Sequence, residues 1–417
     1  MRATRADVDL DAVAHNVRAL RQLVAPAELC AVVKADGYGH GAVAVGQAAL
    51  EAGASWLGVA LVEEGAVLRR DGIDAPILLL SQPRPADIDA AVRLDLRLSA
   101  DTPAGIAAMA DAAGRHDTVA RLHLKVNTGM NRVGAPPADV VELASTIVER
   151  PELELEALWT HCAVADEPGN PFTDVQLDRF DAAWAGLVER GLAPPLRHAA
   201  NTAAAIDHPR SRFDLVRVGI GLYGLPPAPA LADRVDLVAA MTLRAEVSMV
   251  KRVPAGEAVS YGQAHTFARD ANVATVPIGY ADGVTRRLAF TGGQVLVGGR
   301  RCPIVGAITM DQLMVDCGDD PVAVGDEVVL IGRQGNEVIT AQEWADRVDT
   351  IGYEVVCGIG PRVPRHYLRP SSALASPGAS TASMPADRSG SAGPAGSAGS
   401  SQANGSGVGS ATGVPGA

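Results

Sequence analysis

The sequence predicts an α/β fold: a (β/α)8 TIM-like barrel, then a mainly β domain, then a disordered tail. Three observations predict it. Between Leu29 and Gly224, eight short apolar runs alternate with segments of helical period, the pattern of parallel strands covered on both faces. After about Asp236 the runs give way to alternating apolar and polar residues. From Ser371 to Ala417 the chain is Gly, Ala, Ser and Pro with almost no large apolar side chains, which cannot repay the entropy of ordering a backbone. The expected domains are therefore 1–235 (barrel), 236–370 (mainly β) and 371–417 (tail).

The eight runs are Leu29 to Lys34, Trp56 to Ala60, Pro76 to Leu80, Leu96 to Ala100, Val119 to Val126, Leu153 to His161, Leu196 to Thr202 and Leu215 to Gly224. Asp11 is placed to cap a helix through Val13, Val17 and Leu20. Val140-Leu143-Ile147 and Phe180-Trp184-Leu187 mark two further helices, and the last barrel helix is short. In the second domain, Thr242 to Val250 alternates as a strand, with turns at Pro254-Ala255-Gly256 and Thr291-Gly292-Gly293.

The 417 residues include 36 Lys+Arg against 48 Asp+Glu, a net charge of -12, and no basic cluster that would track a phosphate backbone, so nucleic acid is not an expected partner. No apolar run is long enough to span a membrane and no signal core follows Met1, which points to the cytoplasm. Cys30, Cys162, Cys302, Cys317 and Cys357 are odd in number and widely spaced, arguing for reduced thiols rather than a disulfide framework or a metal site.

Reactive residues of a barrel lie at the C-terminal ends of its strands. There the sequence places Lys34, Arg132, His161, Asn201, Thr202 and Arg217. A lysine ending a buried strand is either a snorkelling surface residue or a desolvated amine of lowered pKa and raised nucleophilicity. The Gly-rich turn after Lys34 lets a ligand approach and puts Tyr38 and His40 beside the amine. Gly219 to Gly224 formally matches GxGxxG, but Pro226-Pro227 follows where a dinucleotide fold needs a helix. With hydroxyl and backbone donors at Asn201-Thr202 and Gly219-Ile220-Gly221, a lysine nucleophile beside a phosphate cradle suggests pyridoxal phosphate.

Ala31-Val32-Val33-Lys34-Ala35-Asp36-Gly37-Tyr38-Gly39-His40-Gly41 resembles the cofactor-lysine signature of alanine racemases. Similar matches follow in the family's order: Lys125 to Arg132, Thr160-His161, His198 to Thr202, Arg217 to Gly224, Ser260-Tyr261-Gly262, Ile278 to Gly283, Met310-Asp311-Gln312 and Gly352-Tyr353-Glu354. They reach through nearly everything up to Arg369.

The resemblance implies a homodimeric racemase of L- and D-alanine that feeds bacterial peptidoglycan. It implies that Lys34 carries pyridoxal 5'-phosphate and is one catalytic base, with Tyr261 of the partner subunit as the other on the opposite face of the substrate. Arg217 is implied at the pyridine nitrogen, and His161 against the ring. Tyr38, Asn201, Thr202, Gly219, Ile220 and Tyr353 are cofactor contacts, the two loop positions acting through backbone N–H groups. Arg132 assists both cofactor and substrate carboxylate, and Met310 donates a backbone N–H to that carboxylate across the interface. Lys125 matches a lysine that is carbamylated in many members, and Asp166, Tyr280 and Arg286 match the substrate corridor.

The sequence departs from the common pattern at Ala307, Thr309 and Asn131, which puts corridor width in question without removing a catalytic group. Two other enzyme readings share the scaffold, a broader amino-acid racemase and a decarboxylase. A non-catalytic pyridoxal-phosphate homeostasis protein would share the barrel and the lysine but lack the second domain.

Overall fold

The computed structural model describes residues 3–369; the expected tail lies outside them. A first strand, β1 (Arg5–Asp9), precedes eight parallel barrel strands: β2 (Glu28–Val32), β3 (Trp56–Val59), β4 (Ile77–Leu79), β5 (Leu98–Ala100), β6 (Ala120–Lys125), β7 (Leu153–Trp159), β8 (Leu196–His198) and β9 (Leu215–Val218). Each falls inside one of the eight predicted runs or overlaps it. They form two arcs, β4-β3-β2-β9 and β5-β6-β7-β8. Arg97 closes one seam, its N–H donating to the Ile77 carbonyl at 2.8 Å and its carbonyl accepting from Leu79 at 2.9 Å; the other is closed by Arg217 N–H on the Ala200 carbonyl at 3.0 Å.

Helices cover the outside as their periodicity requires. Helix Val140–Val148 buries Val140, Leu143, Ala144 and Ile147, and Phe172–Glu189 buries Phe180 and Leu187. After β8 comes only the six-residue helix Thr202–Asp207, and after β9 a 3₁₀ turn, Ile220–Tyr223. The missing eighth helix is supplied by the start of the chain: Leu10–Val24 packs against Ala42–Glu51 and the Ile220–Tyr223 turn. Its cap is Asp9 rather than Asp11. Asp9 Oδ1 accepts from the N–H groups of Asp11 (2.9 Å) and Ala12 (3.0 Å), so Asp11 sits within the first turn, as a donor to the cap.

The first strand does not join the barrel. β1 pairs antiparallel with Met241–Glu246 (Val8 opposite Met241) and parallel with Arg365–Leu368, inside the long sheet of the second domain. Met241–Glu246 alternates between buried and half-buried residues, but the expected strand through Val250 is broken at Val247 and Ser248. There the chain changes partners: Val247 N–H bonds Asp326, whereas Ser248 N–H and hydroxyl bond Thr275. The expected turns appear at Gly256 (φ 87°) and Gly292 (φ 76°). The second domain also holds two helices, Ala341–Val348 and Gly352–Gly358, the latter carrying Tyr353.

The formal GxGxxG segment contains no dinucleotide helix; Gly224 is left-handed (φ 79°), and a Cβ there would lie 1.9 Å from the Val238 carbonyl oxygen. All five cysteines are free, four of them buried. No helix among the described residues is long and apolar enough to cross a membrane.

Asn16, fully buried, stitches the first helix to the barrel's exit. Its Nδ2 donates to the carbonyls of Leu222 (3.0 Å) and Val238 (2.8 Å), and its Oδ1 accepts from Val238 N–H (2.7 Å). Asn16→Ala strands three backbone groups, the Leu222 carbonyl buried and the two of Val238 partly buried, so the expected loss is roughly 1–3 kcal/mol in urea denaturation. A loss below about 0.5 kcal/mol would show that this stitch holds nothing.

Candidate active site

The site forms where β2 ends. Beyond Val33 the chain makes one left-handed turn, with φ of 52° at Ala35, 51° at Asp36, 62° at Gly37 and 52° at Tyr38. Left-handed geometry costs an L-residue roughly 1–2 kcal/mol, so Ala35, Asp36 and Tyr38 must be held there. Glu64 Oε1 accepts from Ala35 N–H at 2.6 Å, Val33 carbonyl from Gly37 N–H at 2.8 Å, and Asp36 Oδ1 from Ala42 N–H at 2.9 Å. The turn carries Lys34 and Tyr38 to the mouth of the barrel.

The two residues expected beside the amine separate here. Tyr38 lines the cavity, its ring 4.9 Å from that of Tyr223 and 6.2 Å from Tyr353. His40 turns away and is fully buried, Nδ1 bonded to the Tyr38 carbonyl at 2.9 Å, its pKa lowered to about 4 by burial.

A cavity of about 260 Å³ brings together Lys34, Tyr38, His161, Asp166, Asn201, Thr202, Arg217, Gly219, Ile220 and Tyr353, ten of the sixteen expected site residues. A larger cleft of about 510 Å³ opens at the opposite end of the barrel, around Arg18, Arg21 and Ser55, and has no nucleophile that matches it to this chemistry. Within the site, Asn201 caps helix Thr202–Asp207 by accepting from Ala204 N–H at 3.0 Å. Thr202 Oγ1 accepts from Gly219 N–H at 2.9 Å, so that amide, expected to face a ligand, already has a protein partner. Ile220 opens its 3₁₀ turn, where a first N–H has no partner within the turn. A Cβ on Gly219 would lie 2.4 Å from the Tyr38 hydroxyl, so only glycine leaves this cradle open.

Arg217 is the buried charge of the site. Nη1 donates to His198 Nδ1 (2.8 Å), and Nη2 to the carbonyls of Thr160 (2.8 Å) and Ala199 (2.9 Å) and to His161 Nδ1 (3.2 Å). Its Nε has no hydrogen bond among the described residues. Burial pulls the guanidinium down to about 10, still protonated at neutral pH. Burial and this charge hold the pKa values of His161 and His198 well below the ordinary imidazole value, so both rings are neutral.

Trp159, which sequence reasoning passed over, supports both buried cations. Arg217 Cζ lies 4.6 Å and Lys125 Nζ 3.8 Å from its ring, and His198 stacks on it at 5.3 Å. Its position two residues before His161 on β7 was the only available signal. Lys125 Nζ also donates to the Leu80 carbonyl at 3.0 Å; burial, then Arg217 and Arg132, lower its pKa to about 7. Lys34 is lowered as well, by burial first and the Arg132 charge second. Lys125 and Arg132 line a small gap beside His161 rather than the main cavity.

Tyr261, Met310, Tyr280 and Arg286 lie outside the cavity, on the second domain. Three loops there are stitched together: Ser260 Oγ donates to the Ala307 carbonyl (2.8 Å), Tyr280 N–H to Thr309 (3.0 Å) and Ala281 N–H to Met310 (3.1 Å). They present Tyr261 (75% exposed), Met310 (52%) and Tyr280 (46%) to the outside. Ser260, before Tyr261, has φ 67° and ψ -175°, a region that costs a non-glycine residue about 1–3 kcal/mol.

Family models for the N-terminal and C-terminal domains of alanine racemase match residues 8–227 and 240–367. The chain belongs to the alanine racemase family. It is 52% identical over 368 residues to an alanine racemase of Symbiobacterium thermophilum, covering 88% of this chain and 97% of that one. The crystal structure of alanine racemase from a D-cycloserine-producing Streptomyces lavendulae superposes with a TM-score of 0.85 at 41% identity, over 88% of this chain and 98% of the other. A histidine racemase from Leuconostoc mesenteroides shares the fold at 30% identity and TM-score 0.82, covering 88% and 98%. As a member of the alanine racemase family, the protein is an enzyme, a racemase.

Proposed function

We propose that the protein interconverts L-alanine and D-alanine with pyridoxal 5'-phosphate bound at Lys34, as a homodimer whose sites each take Tyr261 from the partner subunit. The observation that carries this reading is the cavity itself: a buried-strand lysine of lowered pKa, an arginine with a free Nε, and a glycine cradle converge on one space. These residues fit the cofactor. Lys34 would offer an amine to its aldehyde, while Tyr38, Asn201, Thr202, Ile220 and Tyr353 would hold the phosphate and His161 would offer a neutral ring face. Bound there, the cofactor supplies the electron sink that acidifies the substrate Cα–H.

The chain's own residues then divide the work. Arg217 remains a cation and so would donate to the ring nitrogen without surrendering a proton to it. Lys34 Nζ, made less basic by burial, takes or returns the Cα proton on one face. Tyr261 of the partner subunit serves the other face, which explains why one chain leaves its own Tyr261 exposed. Arg132 and the backbone N–H of Met310 hold the substrate carboxylate. Asp166, Tyr280 and Arg286 line the approach. The D-alanine is destined for peptidoglycan in a bacterial cytoplasm.

A second reading, a racemase of another or broader amino-acid range, draws on the similar fold of the histidine racemase. Chiral analysis of L-alanine, L-serine and L-histidine separates the two, because the proposal requires alanine to be turned over far faster than the others.

Lys34→Ala is expected to lose the cofactor's visible absorption and racemisation together; wild-type turnover in this variant would sink the assignment. Tyr261→Phe should keep the absorption while Cα proton exchange from L-alanine falls by about a hundredfold or more, read by NMR in heavy water. Unchanged exchange would remove Tyr261 as a base.

Lys125 is proposed to carry a carbamate, which would turn its repulsion of Arg132 into attraction. A neutral amine attacks carbon dioxide, and with a pKa lowered to about 7 that form prevails above neutrality. At a fixed pressure of labelled carbon dioxide, a carbamate carbon signal should therefore be strong at pH 8, weak at pH 6 and absent in Lys125→Ala. Equal signals at both pH values, or survival in the variant, would contradict the proposal.

A further inference from the structure

Behind Arg217 runs a line of side chains that the proposed mechanism does not use. Arg217 Nη1 lies 2.8 Å from His198 Nδ1, His198 Nε2 lies 2.9 Å from His123 Nδ1, and His123 Nε2 lies 2.9 Å from Glu156 Oε2. Both histidines are fully buried, their rings edge to face at 5.0 Å, and Glu156 is partly buried, with Arg97 Nε 3.6 Å away. These residues come from three adjacent strands, β6, β7 and β8, and from β9.

The chemistry of the two ends dictates every proton between them. A guanidinium only donates, so His198 Nδ1 must be bare and the single proton of the neutral ring sits on Nε2. That proton is donated to His123 Nδ1, which must also be bare, leaving the proton of His123 on Nε2. A carboxylate only accepts, and Glu156 takes this last bond. A proton added to His123 Nδ1 would face the His198 proton, so neither ring can become a cation without breaking the line. The electrostatics agree: burial leads in lowering His123 and His198, and although burial alone raises Glu156, the His123 bond and nearby cations bring its carboxyl below the ordinary value.

We propose that Glu156 and His123 are positioning residues: through a one-way hydrogen-bond relay they fix the tautomer of His198, and thereby hold Arg217 with its free Nε toward the cavity. The relay's geometry stands without the proposed reaction; its effect on turnover rests on that reading. Were the Glu156 acceptor lost, His123 could place its proton on Nδ1, forcing His198 to turn a proton toward Arg217 and push the guanidinium out of line.

The test is ¹⁵N NMR of histidine-labelled protein with pyridoxal phosphate bound, the His123–His198 pair being identified by nitrogen–nitrogen coupling across their shared hydrogen bond. The expected result is two neutral rings, each protonated only on Nε2, with His198 the donor. A proton on His123 Nδ1, or an imidazolium at either position at pH 7, overturns the relay. Glu156→Leu should then show a second tautomer population and a kcat lowered roughly tenfold or more, with KM for alanine little changed; Glu156→Gln, which keeps an acceptor oxygen, should recover most of the loss and the single tautomer. A merely structural role would lower the melting temperature without altering the tautomers, and that outcome, or a Leu variant within about twofold of wild type, overturns the positioning role. If the wild-type tautomers are as expected but no amino acid is racemised, the relay stands and the proposed reaction falls.

Discussion

A buried guanidinium with no carboxylate beside it among the described residues governs this site. Taking Arg217 out of water is expensive, and the fold meets that cost with two carbonyls, two imidazoles and the face of Trp159 rather than with a counter-ion. The consequence spreads outward. With burial as the leading cause, the positive charge of Arg217 helps to keep nearby histidines neutral and to make Lys125 less basic. An Asp in place of those partners would neutralise the field and leave burial alone to lower these values.

The second domain completes the site as well as following it. Helix Gly352–Gly358 presses the Val356 carbonyl so close to Gly39 that a Cβ there would lie 2.5 Å away. From the last described strand, Arg365 Nε donates to the Gly39 carbonyl at 2.9 Å while Nη1 holds Gly360 (2.6 Å) and Val363 (2.7 Å). The left-handed turn after Lys34 is thus clamped from the β domain, and Tyr353 reaches the cavity from the same helix. Because β1 also lies in that domain's sheet, the chain enters through the second domain before it builds the first.

The barrel was legible because strands buried on both faces leave continuous apolar runs, and all eight became strands. β1 was not, since its partners Met241 and Arg365 lie hundreds of residues away and leave no local mark. Asp9 and Asp11 offer the same capping chemistry two positions apart, and only backbone geometry chooses between them. The cavity residues were found through motifs, but Trp159, His123 and Glu156 act through neighbours on adjacent strands, a matter of register that one strand's sequence does not carry. The strain at Ser260 that presents Tyr261 is likewise visible only in the folded backbone.

The central claim is that each site draws Lys34 from one chain and Tyr261 from another, and subunit mixing tests it most directly. Lys34→Ala and Tyr261→Phe proteins, unfolded together in equal amounts and refolded with pyridoxal phosphate, should form hybrid dimers holding one intact site. Racemisation of L-alanine should then rise well above the sum of the two parents, toward about a quarter of the wild-type rate for random pairing. A mixture that never exceeds that sum, although the chains have demonstrably exchanged, would contradict the shared site.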